Sequence, residues 1–108
     1  MRNKTYQILG QVIDQKNRTV LQGLRVEAWD SDMFYDDFVG DAVTDAIGNF
    51  RIEFTQSQFR ELFFDRAPDL YFKIFKDTEL IASTEDSVLW NVQAGDQEIL
   101  IEVDPQDS

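Results

Sequence analysis

The segment Asn49-Phe50-Arg51-Ile52-Glu53-Phe54 places an apolar side chain at every second residue and a polar one between. Only an extended strand gathers Phe50, Ile52 and Phe54 on one face, because successive side chains on a strand point to opposite sides. The same period recurs along the chain. Tyr6–Asp14 sets Ile8, Gly10 and Val12 on one side, and Leu24–Ala28 sets Leu24, Val26 and Ala28 there, with Trp29 turned to the other face. Further strand-like runs cover Phe38–Thr44, Asp69–Lys76, Glu79–Thr84 and Gln97–Val103. Seven short strands with turn signals about every ten residues predict an all-β fold, a seven-stranded antiparallel β-sandwich.

The connections read clearly. Gly10 inside the first strand signals a bulge or a close backbone approach. Thr44-Asp45-Ala46-Ile47-Gly48 is a tight turn with Gly48 suited to positive φ, so the third and fourth strands read as a hairpin. The period then changes. Thr55 and Gln58 have capping-box spacing, and Phe59, Leu62 and Phe63 follow at helical intervals, with Phe64 at the edge of that face. This predicts one short helix near 56–64, ended ahead of Pro68. The chain reads as a single domain over 1–108, with 104–108 a frayed tail.

Composition narrows the function. The 108 residues carry a formal net charge of −11. Such a surface excludes nucleic acid, whose phosphates need clustered Lys and Arg. It equally disfavours an anionic membrane unless a cation bridges the two. There is no cysteine, so oxidation offers the domain nothing. There is no histidine, which removes Ser-His-Asp and Cys-His catalysis and histidine-ligated zinc or iron. Glu53, Glu61, Glu79 and Asp86 form no recognisable acid/base pair, so the expectation is no enzyme, with a carboxylate-only hydrolase as the remote alternative. The start lacks the apolar core of a secretory signal, which leads to the expectation of a cytoplasmic protein or of export by a signal-independent system.

The candidate site is the acidic stretch. Asp30, Asp32, Asp36 and Asp37 lie between two strands, and no Lys or Arg occurs from Val26 to Phe50. Crowded carboxylates repel, by about 1 kcal/mol per pair at ~4 Å in water. Such a loop needs a counter-charge or full solvation. Asp30, Asp32, Asp36 and Asp37 are therefore candidate Ca²⁺ ligands, since Ca²⁺ takes hard oxygens from loops of this kind. Met33, Phe34 and Tyr35 inside the loop are candidate partner contacts, as aromatics and Met are enriched at interface cores. A pairing of Trp29 with Trp90 could form a sugar platform.

Three segments carry a resemblance: Gly10-Gln11-Val12-Ile13-Asp14, Leu21-Gln22-Gly23-Leu24-Arg25-Val26 and Thr44-Asp45-Ala46-Ile47-Gly48-Asn49-Phe50. Together they are similar to the transthyretin-like, or carboxypeptidase regulatory-like, β-sandwich family. The resemblance implies a non-enzymatic binding or structural adaptor, with a protein partner or homo-oligomer, in a larger bacterial secretion, toxin or surface assembly. The family's hydroxyisourate hydrolases need histidines that this chain lacks. Asp30-x-Asp32 followed by Asp36-Asp37-Phe38-Val39-Gly40 also resembles a calcium loop of the phospholipid-binding β-sandwich domains, which implies calcium-dependent ligand binding.

Overall fold

A computed structural model describes residues 4–32, 35–58 and 67–104. Seven strands form two facing sheets: β1 (Thr5–Asp14), β2 (Arg25–Asp30), β3 (Asp37–Val43), β4 (Asn49–Thr55), β5 (Leu70–Lys76), β6 (Glu79–Ser83) and β7 (Gly95–Val103). One sheet has the order β4-β1-β7 and the other β3-β2-β5-β6. The expected all-β sandwich and its seven strands are present.

The alternating side chains meet between the sheets. Tyr6, Ile8 and Val12 from β1, and Phe50, Ile52 and Phe54 from β4, are buried against Val26, Ala28, Phe72 and Ile74 of the opposite sheet. Tyr6 and Phe54 stack with ring centroids 4.9 Å apart. Phe50 meets Phe72 across the sandwich at 6.4 Å.

Two sequence expectations are corrected. The sandwich is not wholly antiparallel, because β1 and β7 pair in parallel, from Tyr6↔Gly95 to Asp14↔Val103. Alternation fixes which face of a strand is buried but carries no information about its partner. Second, β3 and β4 are not a hairpin. β3 pairs with β2 and β4 with β1, so the Asp45–Gly48 turn carries the chain from one sheet to the other. The turn itself is as expected: Asp45 Oδ1 accepts from Ile47 N at 3.0 Å and Asn49 N at 2.9 Å, and Gly48 has φ 75°. It docks on β1, where Val12 N donates to Gly48 O at 2.9 Å. That docking leaves β4 beside β1.

The helix expected near 56–64 falls largely outside the described residues, and its described part, Gln56–Gln58, forms a 3₁₀ turn. Thr55, expected as the helix cap, is the last residue of β4, and its hydroxyl shares a hydrogen bond with Ser57 Oγ at 2.9 Å. Phe59, Leu62, Phe63 and Phe64, like the tail 105–108, lie outside the described residues.

Candidate functional site

The outward face of the four-stranded sheet supplies a counter-charge to the two carboxylates that flank the acidic stretch, Glu27 and Asp41. Arg25, one residue ahead of the stretch without cations, contacts Glu27 through Nη2 at 2.5 Å and Asp41 through Nε at 3.2 Å. Lys73 on β5 lies opposite Glu27 in the ladder and holds its ammonium 4.3 Å from the Trp29 ring centroid. The Trp29 indole N–H donates to Glu27 Oε1 at 3.0 Å, and its ring meets Phe38 edge-on at 5.7 Å. Arg25 also sits 5.8 Å from the Phe75 ring. Cations over aromatic faces contribute about 0.5–1 kcal/mol each where exposed. The result is a belt of alternating rings and charges, with Glu27 only 8% exposed although it faces outward.

Trp29 is on this face, as its place in the alternation implies. Lys73 and Tyr71 were missed because the sequence separates them from Trp29 by more than forty residues. The strand period marks them as outward-facing on β5, but only the β2–β5 register sets Tyr71 opposite Trp29.

The acidic loop closes one end of this belt, and its carboxylates are held mainly by neutral donors. Asp30 is fully buried at the end of β2, and its Oδ1 accepts from the backbone N–H of Asp69 at 2.9 Å. Asp36 accepts from Asp32 N at 3.1 Å and from the Tyr71 hydroxyl at 2.5 Å. Asp37 begins β3 and lies opposite Asp30 in the ladder. Asp30, Asp32, Asp36 and Asp37 are thus neighbours along one connection. Yet among the described residues no three Asp, Glu, His or Cys side chains gather as a metal-binding group. Asp30 is buried in the core at the end of β2, whereas Asp32, two residues on, lies half-buried beyond the strand end. Of the candidate partner contacts, Tyr35 is 79% exposed, and Met33 and Phe34 lie outside the described residues. Trp90 is well exposed in the loop before β7, and no ring contact joins it to Trp29 among the described residues.

Tyr71 titrates far above an ordinary tyrosine. Burial is the main cause, followed by the hydrogen bond to Asp36 and the negative charges of Asp36 and Glu85. The folded state therefore favours the protonated phenol. The stability this confers is present below the usual tyrosine pKa of about 10 and is lost as pH rises past it. We expect Tyr71→Phe to cost about 1 kcal/mol at neutral pH, for the lost hydrogen bond. Urea midpoints measured between neutral and strongly alkaline pH should fall more steeply for the wild type than for Tyr71→Phe. Equal slopes would remove Tyr71 from the alkaline transition.

An open groove of about 710 Å³ crosses the other sheet, lined by Leu9, Gln11, Asn49, Arg51, Glu98 and Leu100 among others. Arg51, its cation, is ion-paired with Glu53.

No family model and no curated protein matches the chain. Solved structures do. A 9R-lipoxygenase from Cyanothece PCC8801 matches over 94% of this chain and 17% of its own, with 21% identity and a TM-score of 0.67. A chlorocatechol 1,2-dioxygenase from Pseudomonas putida matches over 93% of this chain and 61% of its own, with 19% identity and a TM-score of 0.52. The dioxygenase domain of a dioxygenase–carbohydrate-binding protein fusion from Streptomyces sp. SirexAA-E matches over 94% and 82%, with 17% identity and a TM-score of 0.52. The chain thus spans under two thirds of the first two proteins, and at these identities the likeness establishes a shared β-sandwich fold.

Proposed function

We propose that this chain is a non-enzymatic binding or structural adaptor, a transthyretin-like β-sandwich module serving a larger bacterial assembly of the secretion, toxin or surface kind. The observation that carries this reading is the belt on the four-stranded sheet, where the charged groups are engaged with one another. Arg25 serves Glu27 and Asp41, Tyr71 serves Asp36, and Lys73 covers Trp29. Catalysis needs a nucleophile, acid or base free to reach a substrate. The 94%-to-17% match to the lipoxygenase supports the same view, since this fold can occur as a small part of a much longer protein.

The dioxygenase neighbours raise the question of iron. The residues here do not fit it: the sequence has no histidine, and no carboxylate cluster gathers among the described residues. Tyr71, whose hydroxyl donates to Asp36, is kept protonated by its burial and by Asp36, the opposite of what a metal-bound phenolate requires.

The test is quantitative capture from source cells on the immobilised domain. Each captured protein is then purified and rebound, alongside turnover assays with catechols and unsaturated fatty acids. A partner that rebinds as a defined complex, with no turnover, supports the adaptor. A strictly monomeric domain that captures nothing, or one that turns over a substrate, overturns it.

A further inference from the structure

The three-stranded sheet ends in an edge that the other edges help to interpret. β3 and β4 lie against each other, so β7 falls on the side of β6. The opposing sheet has one strand more, and among the described residues no fourth strand stands beside β7 to face β6. Edge strands invite pairing with other chains, and proteins blunt them with shortness, bulges, Pro or Lys. β3 is joined to its neighbour through a register shift at Ala28/Trp29, and β6 through one at Ile74/Phe75. β6 is also only five residues long. β7 has neither the shortness nor the bulge, and its one guard is the negative charge of Asp96, Glu98 and Glu102. It runs nine residues in unbroken register with β1 and contains no Pro, Lys or Arg.

Its outward side chains are Asp96, Glu98, Leu100 and Glu102. Asp96 accepts from the Gln7 amide at 3.2 Å, and Glu102 is ion-paired with Arg18. Glu98 has no ion pair among the described residues, and Leu100 is 53% exposed. A second copy is the wrong occupant: self-pairing would set these carboxylates against their own kind, and like charges opposite one another destabilise a ladder.

Resting on the adaptor reading, we infer that β7 is an acceptor edge for an extended segment of a partner protein, with the pattern basic-x-apolar-x-basic. Its two cations face Glu98 and Glu102, its apolar residue covers Leu100, and its backbone continues the sheet. Strand addition draws affinity from main-chain hydrogen bonds and selectivity from alternate side chains. The period of two in the strand sets the spacing in the ligand.

The probe is the peptide Thr-Lys-Val-Leu-Val-Lys-Thr, titrated against the whole chain with hydrogen exchange read residue by residue. We expect salt-sensitive binding with added protection over Gly95–Val103. Thr-Glu-Val-Leu-Val-Glu-Thr should bind at least about tenfold more weakly, as should the Lys peptide N-methylated at every central residue, which keeps the charge but has no N–H to extend a ladder. The surface variant Glu98→Lys/Glu102→Lys, checked for an unchanged melting profile, should reverse the preference between the Lys and Glu peptides. Equal binding of the N-methylated peptide would reduce the effect to bulk charge and overturn the inference. Protection at the acidic loop instead of β7 would overturn the edge while leaving an adaptor in place, and no protection anywhere overturns the edge. The capture experiment above decides the adaptor independently.

Discussion

Replacing Gly10 with alanine should unfold much of this protein's margin of stability. A Cβ at Gly10 would lie 2.2 Å from Cζ and 2.3 Å from Cε1 of Phe50, its partner across the β1–β4 ladder. The Phe50 ring occupies the space that the glycine leaves empty. It is 5% exposed and packed against Phe72, so it has little room to retreat. Overpacking of this kind costs about 1–3 kcal/mol, and the ring's confinement places Gly10→Ala at the upper end. In a domain of this size that is a fall in Tm of roughly 10–20 °C. Adding Phe50→Leu should recover part of the loss, because the smaller side chain removes the clash. A double-mutant cycle by calorimetry would measure the coupling, and additive losses would disprove the proposed contact.

Asp30→Ala should be nearly as damaging. The carboxylate is wholly buried and accepts from the Asp69 N–H, and Asp69 in turn accepts from Asn91 N at 2.8 Å through its own side chain. Ser31 N donates back to Asp69 O at 2.7 Å, and Val92 N to Pro68 O at 2.9 Å. Three connections are thus tied at one end of the sandwich. Removing a hydrogen-bonding group from such a position costs about 1.5–3 kcal/mol and leaves a buried donor without its acceptor. Asp30→Asn keeps an acceptor oxygen and should lose less. The loss should be the same with millimolar CaCl₂, MgCl₂ or EDTA, because the bond to Asp69 needs no ion. A wild-type melting temperature raised by Ca²⁺ alone, with the rise abolished in Asp30→Asn, would return the acidic loop to the role of a metal site.

Much of the fold was legible in the sequence because its strands are amphipathic. Phe50, Ile52 and Phe54 alternate with charged residues, and the sandwich buries that face and no other. Gly10 pointed to a bulge or a close backbone approach, but the strand register is unbroken there and it is the Phe50 ring that fills the space. Strand partnership was hidden. The signals around Asp45 and Gly48 specify a reversal of the chain, and the same reversal serves a hairpin or a passage between sheets. The choice falls to β1, which offers Val12 N to the turn. For the site, the lack of local cations called for a counter-charge or full solvation, but the part played by Arg25 and Lys73 depends on ladder register. Asp30 looked like a loop residue by composition, yet it continues the inward parity of Val26 and Ala28, with β2 in unbroken register with β5 through it.

The parallel pairing of the first and last strands also determines how this module fits into anything longer. Thr5 starts near the level of Gly95, while Val103 finishes beside Asp14. A polypeptide that comes in at Thr5 therefore leaves at the opposite pole of the sandwich, roughly 30 Å away for nine or ten residues at about 3.3 Å each. Antiparallel first and last strands would return it to where it came in, making the module a side branch. Here it lies in line with its flanking sequence, so copies joined in tandem would form a rod, and mechanical tension on the two ends would shear the β1–β7 ladder along its whole length rather than peel it one bond at a time.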